Sequence, residues 1–385
     1  MSVRRWAALA LSLAGGLTLL SGPGTGAEPA RKVGPDQKEW NAVVDKGIGY
    51  LRKSQADDGS WGGKSATGVT GLVVTGMLKT GRVTPKDPTV EKGLKYIESL
   101  INKKAGHIAG KDPRPQLQNY CTAINVMALC AADRDSYKEV IGDATKFLKQ
   151  LQWDEAEGKT EKDDFFGGAG YDSKSRPDLS NTQVFLDALV EAGVPKDDPA
   201  FKKAKVFVTR CQNLKDEGND QPWAGKINDG SFIYSPAAGG ATKVRDTPDA
   251  NGALPGYGSM TYAGVKSLIY CGVSKEDPRV KRAYEWIRKN YTLERNPGMP
   301  DVRREWGLYY YYHTMAKTLD VLGIDEIEDA SGKKHDWRAE LTAELAKRQR
   351  PDGSWVNETD RWMEGDPNLV TGYALMALSY CKPKK

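Results

Sequence analysis

Three carboxylates and one histidine stand where they could do acid/base work. Asp178, Glu305 and Asp366 each precede an apolar helical stretch at a comparable position, and His313, one of only three histidines, lies at the start of another. Paired carboxylates carry out general acid/base chemistry on sugars, and a histidine at a cavity wall can exchange a proton near neutral pH. Helical spacing puts Tyr309, Tyr312 and His313 on one face, while Tyr310 and Tyr311 point elsewhere and read as packing. The candidate catalytic groups are therefore Asp178, Glu305 and His313. The candidate ligand contacts are Tyr309, Tyr312, Asn181, Asp366 and Trp306. Each has a plainer reading beside it, since an aspartate ahead of a helix is an ordinary N-cap and a histidine can simply be hydrogen-bonded.

Other chemistries fail on their residues. An EF-hand register laid on TPDANG (247–252) puts Thr247 at the first ligand and Gly258 where a bidentate glutamate is needed. No phosphate loop or Ser-His-Asp signature is present, so neither a metal nor a cofactor is expected. Basic and acidic residues number 56 and 51 and are interspersed, which excludes a nucleic-acid surface. The first residues carry Arg4 and Arg5, an apolar run from Trp6 to Leu20 and small residues ending at Ala27. That is a signal peptide over 1–27, cleaved after Ala27, and it makes the protein exported, periplasmic or secreted. Its removal takes the formal charge from +5 to +3. No second long apolar run follows, so no membrane span is expected in the mature chain. Among five cysteines, Cys121 and Cys130 lie on opposite faces of one helix and cannot bridge. All five read as small buried hydrophobes.

The elements that must position these residues repeat. A small residue followed three later by an aromatic and then an aliphatic recurs as Gly47/Tyr50/Leu51, Gly93/Tyr96/Ile97, Ala144/Phe147/Leu148, Ala204/Phe207/Val208 and Ala283/Trp286/Ile287, with a weaker copy near Leu345. Each copy reads as an amphipathic helix. A Gly-rich loop follows each one, then a more apolar helix opened by a threonine: Thr70, Thr122, Thr182, Thr261, Thr314 or Thr371. Self-similarity at this scale marks stacked supersecondary units. The fold is all-α, six helical hairpins over residues 28–385, and with no polar end caps in sight a closed ring is preferred to an open solenoid. Asp-Pro pairs start several helices. Repeat four carries an insertion over 213–257, in which INDGSFIY (227–234) is expected to form a small hairpin.

Lys46-Gly47-x2-Tyr50-Leu51-x3-Gln55-x3-Gly59-x-Trp61 resembles the Gln-Trp repeat of squalene and oxidosqualene cyclases at every defining position. Gln349-x3-Gly353-x-Trp355 is a second good copy, and Phe147-Leu148-x3-Gln152 and Phe207-Val208-x3-Gln212 match the helical half. The chain looks like a member of the terpenoid cyclase and protein prenyltransferase superfamily over residues 40–381. The resemblance implies an α/α toroid whose inner helices surround a central cavity, with the Gln and Trp residues structural.

Departures from the family narrow the chemistry. Squalene-hopene type cyclases protonate an alkene with an Asp-x-Asp-Asp-Thr-Ala motif, and the local counterpart here is Asp178-Leu179-Ser180-Asn181-Thr182, with Ser180 and Asn181 where acids should be. Glu161-Lys162-Asp163-Asp164 lies before a loop and reads as a solvated charge run. Protein prenyltransferases bind zinc with aspartate, cysteine and histidine. Tyr312-His313-Thr314 resembles the histidine segment, but Gly256 to Thr261 contains neither other ligand. The thioester motif of complement-type toroids is also missing. The expectation is an exported toroid that binds an apolar or amphipathic small molecule, or a protein partner, in or over its cavity. The alternative is an enzyme of altered chemistry on an isoprenoid or polysaccharide.

Overall fold

The computed structural model describes residues 32–63, 66–110, 117–215 and 218–384; the expected signal peptide lies outside them. Helices account for nearly all regular structure. Among the described residues no helix is long and apolar enough to cross a membrane.

Outer and inner helices alternate along the chain. The outer set is α1 (Gln37–Ser54), α3 (Pro88–Ser99), α5 (Lys138–Gln150), α7 (Pro199–Arg210), α10 (Pro278–Asn290) and α12 (Trp337–Arg348). The inner set is α2 (Thr67–Thr80), α4 (Gln118–Asp133), α6 (Leu179–Glu191), α9 (Gly258–Tyr270), α11 (Leu308–Leu322) and α13 (Pro367–Tyr380). A single-turn α8 (Ala224–Ile227) sits in the insertion. Inner helices touch in chain order, and α13 returns to pack on α2, which closes a ring. Closure removes the exposed ends that an open stack must cap.

Sequence explains the two layers. Helix α1 buries Trp40, Val43, Val44, Gly47, Ile48 and Leu51, a one-sided stripe. Nearly every residue of α2 is buried, as the inner layer requires, and its glycines permit close approach. A β-carbon at Gly76 would come within 2.9 Å of the Gly372 carbonyl on α13. Aspartates cap α3, α7, α10 and α13, each ahead of a proline at the first turn.

The repeated glutamine is the joint of each unit. Gln55 donates to the carbonyls of Gly59 and Thr89, Gln152 to Gly167 and Ala200, and Gln212 to Gly230 and Arg279. Each thereby ties its own loop to the start of the next outer helix. Gln349 makes the same pair with Gly353 and with Val43 of α1, at 3.0 Å each, and so joins the last unit to the first. Trp61 and Trp355 donate from Nε1 to the Leu51 and Leu345 carbonyls at 2.8 Å. The threonine hydroxyls of Thr70, Thr122, Thr182, Thr261 and Thr371 each accept a loop N–H. Thr314 differs, bonding the Tyr310 carbonyl within its own helix.

The insertion is ordered by its own buried residues. Trp223, Phe232 and Leu254 enter the core, and Asn213 Nδ2 donates to the Leu254 carbonyl at 2.8 Å. The hairpin expected at 227–234 is not formed. Instead Phe232 makes a single bridge to Gln212, the counterpart of the Gln152 to Ala169 bridge one unit earlier. A two-residue hairpin occurs elsewhere, pairing Ile327–Glu328 with Lys334–His335. All five cysteines are free, with Cys121, Cys211 and Cys381 buried and Cys130 and Cys271 half-buried.

Candidate functional site

Hydrogen bonds join the start of one inner helix to the loop before the next, as Asn119 to Gly170, Leu179 to Tyr234, Ser259 to Asn296 and Tyr309 to Glu364, so the N-termini of these helices gather at one end of the ring, its mouth. Asp178 caps α6, accepting from the Asn181 amide and from Asn181 Nδ2 at 2.8 Å each. It is buried, and burial pushes its carboxyl up against the pull of those bonds. The Tyr234 hydroxyl bonds Asp178, and the Tyr171 hydroxyl reaches Tyr234 and Asn181. Lys243 Nζ lies 4.1 Å above the Tyr234 ring. Across the mouth, Trp306 and Trp362 meet edge to face at 5.9 Å. The Arg303 guanidinium packs 4.6 Å from Trp306, and Arg361 lies 5.1 Å from Trp306 and 5.3 Å from Trp362. Between these walls Tyr310 donates or accepts with Ser180 at 3.0 Å and accepts from Gln183 Nε2 at 2.7 Å. Tyr120, Tyr171, Ser180, Tyr234, Lys243, Trp306 and Tyr310 are all half-buried.

A strap borders the mouth. Helix α11 begins at Gly307, a left-handed residue with no side-chain cap. Glu364 supplies the missing acceptor: Tyr310 N–H donates to it at 2.8 Å, Tyr309 N–H at 3.3 Å and Asn357 Nδ2 at 2.7 Å. Asn357 also donates through its backbone to the Glu364 carbonyl, so residues 357–364 close on themselves. Trp362 and Met363 adopt φ of 59° and 66° to make that turn and stand exposed. Glu364 itself is buried, and loss of water raises its carboxyl to about 7.

Below the mouth the axis is filled by charge. Lys266 contacts Gln183 Oε1 at 2.5 Å and Asp187 at 2.6 Å. Lys317 contacts the other Asp187 oxygen at 2.8 Å and Glu191 at 3.5 Å, and Lys79 pairs with Glu191. Burial lowers Lys266 to about 8 although Asp187 opposes it. Burial would raise Asp187, but the two ammonium groups hold it well below the usual carboxylate range. His313 faces this column, stacked on Tyr373 at 5.9 Å with Nδ1 unpartnered. Burial first, then Lys266 and Lys317, depress its imidazole to about 3, so it stays neutral.

The candidates named from sequence separate. Asp178, Asn181 and Trp306 come together at the mouth, with Asn181 behind Asp178 rather than on the surface. Glu305 is half-buried beside Trp306, and its backbone carbonyl accepts from Asn357. Asp366 caps α13 and lines a different depression of about 580 Å³ with Asp57, Asp58 and Trp61. The shared face expected for Tyr309, Tyr312 and His313 is corrected. Tyr309 and Tyr312 pack on each other at 5.7 Å and face the outer layer, where Tyr312 bonds the Leu293 carbonyl. Tyr310, read as packing, is the one that reaches the mouth, because the helix start at Gly307 turns it toward α6. Lys243, Arg361, Glu364 and the Asp187 column were missed. A visible signal existed for the column: Asp187, Lys266 and Lys317 are charges inside helices otherwise apolar all round.

No family model matches the chain, and no curated protein matches it. Solved structures do. A variant of the type II terpene cyclase MstE from Scytonema shares 14% identity with a TM-score of 0.56, covering 90% of this chain and 97% of that one. Another variant of that enzyme, in complex with its substrate geranylgeranyl dihydroxybenzoate, shares 13% identity with a TM-score of 0.55, covering 90% and 97%. A glycosidase shares 10% identity with a TM-score of 0.53, covering 90% and 98%. The chain therefore has the terpenoid cyclase-like α/α-toroid fold.

Proposed function

We propose that this protein is an exported toroid that binds an amphipathic ligand at the mouth of its ring, without acid-initiated cyclisation. The supporting observation is the mouth itself, which gathers the rings of Trp306, Trp362, Tyr171, Tyr234 and Tyr310 with the cations Lys243 and Arg361. Below it, the Lys266–Asp187–Lys317 column occupies the depth that a long hydrocarbon would need. Asp178 is capped by Asn181 and has no second acid in its motif, which removes the strong donor that alkene protonation requires. Solved neighbours named as terpene cyclases and as glycosidases use one frame for two substrate classes, so the frame does not choose between them. The test is native mass spectrometry of mature protein from its host, followed by extraction and repeated with Trp306→Ala plus Trp362→Ala. A bound molecule that the double variant loses supports the reading, and retention by the variant would place the site elsewhere. N-terminal sequencing of the same sample checks export, with Glu28 expected first.

A second reading has one observation in its favour. Burial raises the Glu364 carboxyl to about 7 and also raises that of Asp178, both at the starts of inner helices, and two carboxyls of this kind are what acid/base work on a glycoside uses. Hydrolysis of a glycan lost in both Asp178→Asn and Glu364→Gln would establish it.

A further inference from the structure

We infer that the ligand of the mouth is an acidic saccharide, a hydroxyl-rich molecule carrying a carboxylate, rather than an isoprenoid. The inference rests on the mouth being the binding site.

Charge is the first observation. Among the described residues Arg361, Lys243 and Arg176 form no ion pair; the recorded contacts of Lys243 and Arg361 are with aromatic rings. Burial disfavours the Lys243 ammonium; Asp178 opposes that at longer range, while Arg176 and Arg361 are near enough to add to it. The nearby acids act on these cations only at longer range, because their direct bonds go elsewhere. Asp178 is buried behind Tyr234 and held by Asn181, Asp246 is paired with Arg303 at 2.6 Å, and Glu364 caps α11. None of the three cations meets a carboxylate directly, although Lys243 rests on the Tyr234 ring and Arg361 on Trp306 and Trp362, and an anion placed between them would relieve their mutual repulsion. Arginine adds the planar fork that fits a carboxylate.

Hydrogen-bonding capacity is the second. The floor carries Tyr310 with Ser180 and Gln183, and the Tyr120 and Tyr373 hydroxyls 3.2 Å apart. A hydroxyl donates once and accepts twice, so these pairs leave capacity for a ligand. A hydrocarbon would cover that capacity without satisfying it, at a free-energy cost. Ring hydroxyls of a sugar satisfy it, while the exposed Trp362 ring suits the apolar side of a pyranose.

Isothermal titration of the mature chain with trigalacturonate, maltotriose and farnesol decides the matter. Trigalacturonate is expected to bind at least about tenfold more tightly than maltotriose, the scale of a charge-assisted contact. Arg361→Gln and Lys243→Met should each reduce that preference while the melting temperature holds. The wild-type affinity for trigalacturonate should also fall as salt rises, a check that needs no variant. Equal affinity for the two saccharides, or binding of farnesol but not of trigalacturonate, would overturn the inference and leave the mouth as the binding site. Binding of none of the three would count against both.

Discussion

The ammonium of Lys266 lies 2.6 Å from the carboxylate of Asp187 in the middle of the ring, and both side chains are sealed from solvent. Asp187 also serves Lys317, so one carboxylate balances two cations. Removing it strands charge where water cannot follow. Asp187→Ala is expected to destabilise the protein by about 3–5 kcal/mol, the range for breaking a buried pair from one side. Replacing Lys266 by Met in the same chain should recover part of the loss. Urea denaturation of the two variants measures this, and a double variant no more stable than Asp187→Ala would show that the pair is not coupled.

Glu364 makes stability depend on pH in a stated direction. Its folded carboxyl titrates near 7 against about 4.3 when unfolded, so the native state holds the proton more tightly. Its contribution is full below about pH 4 and is lost as pH rises through 7, amounting to about 3–4 kcal/mol. Melting curves between pH 4 and pH 8 should show wild type losing more stability over that window than Glu364→Gln. Parallel profiles for the two proteins would rule out this role.

Ring closure can be weakened at one joint. Gln349→Ala removes the donor shared by Gly353 and Val43 and should cost about 1–3 kcal/mol. Gly167 has φ of 82°, and a β-carbon there would run into the Lys203 carbonyl of α7. Gly167→Ala should therefore lower the melting temperature more than Gly239→Ala, whose φ is 84° but whose side-chain space is open.

Adjacent tyrosines on α11 should behave differently. Tyr310→Phe removes the hydroxyl that meets Ser180 and Gln183, and affinity for trigalacturonate is expected to fall about five- to tenfold. Tyr309→Phe, whose ring faces the outer layer, should leave that affinity unchanged. Titration calorimetry of both variants separates mouth from core.

The toroid was legible because its joints are written locally. Gln55 and Trp61 lie six residues apart, and each repeats with the same bonds wherever the pattern recurs. The mouth was only partly legible. Asp178 and Trp306 could be found from their places ahead of apolar helices. Lys243 comes from the insertion, Arg361 and Glu364 from a strap before α13, and no spacing along the chain relates them. Tyr309 and Tyr310 exchange roles because helical spacing says neither which way a face turns nor where it ends: Tyr309 and Tyr312 turn outward, while His313, one residue further, turns to the charged column. That orientation is set by Gly307 and by a carboxylate more than fifty residues away. The charged column carried a plain signal, since three ionised groups inside apolar helices must find one another.

Where the chain begins is, for the ring, arbitrary. Val33 and Lys384 are bridged at 3.0 Å, and the Gly34 amide donates to Asp336 at 2.7 Å, so the two ends of the folded segment already touch. Since α13 meets α2 as intimately as any inner neighbours, the loop has no seam that the packing recognises. The polypeptide can therefore be cut at the exposed turn before α7 and rejoined through its ends with every joint kept. A unit added or removed would change the circumference for all the rest, whereas the loops that bring Lys243, Trp306 and Arg361 to the mouth lie outside the packing that sets it.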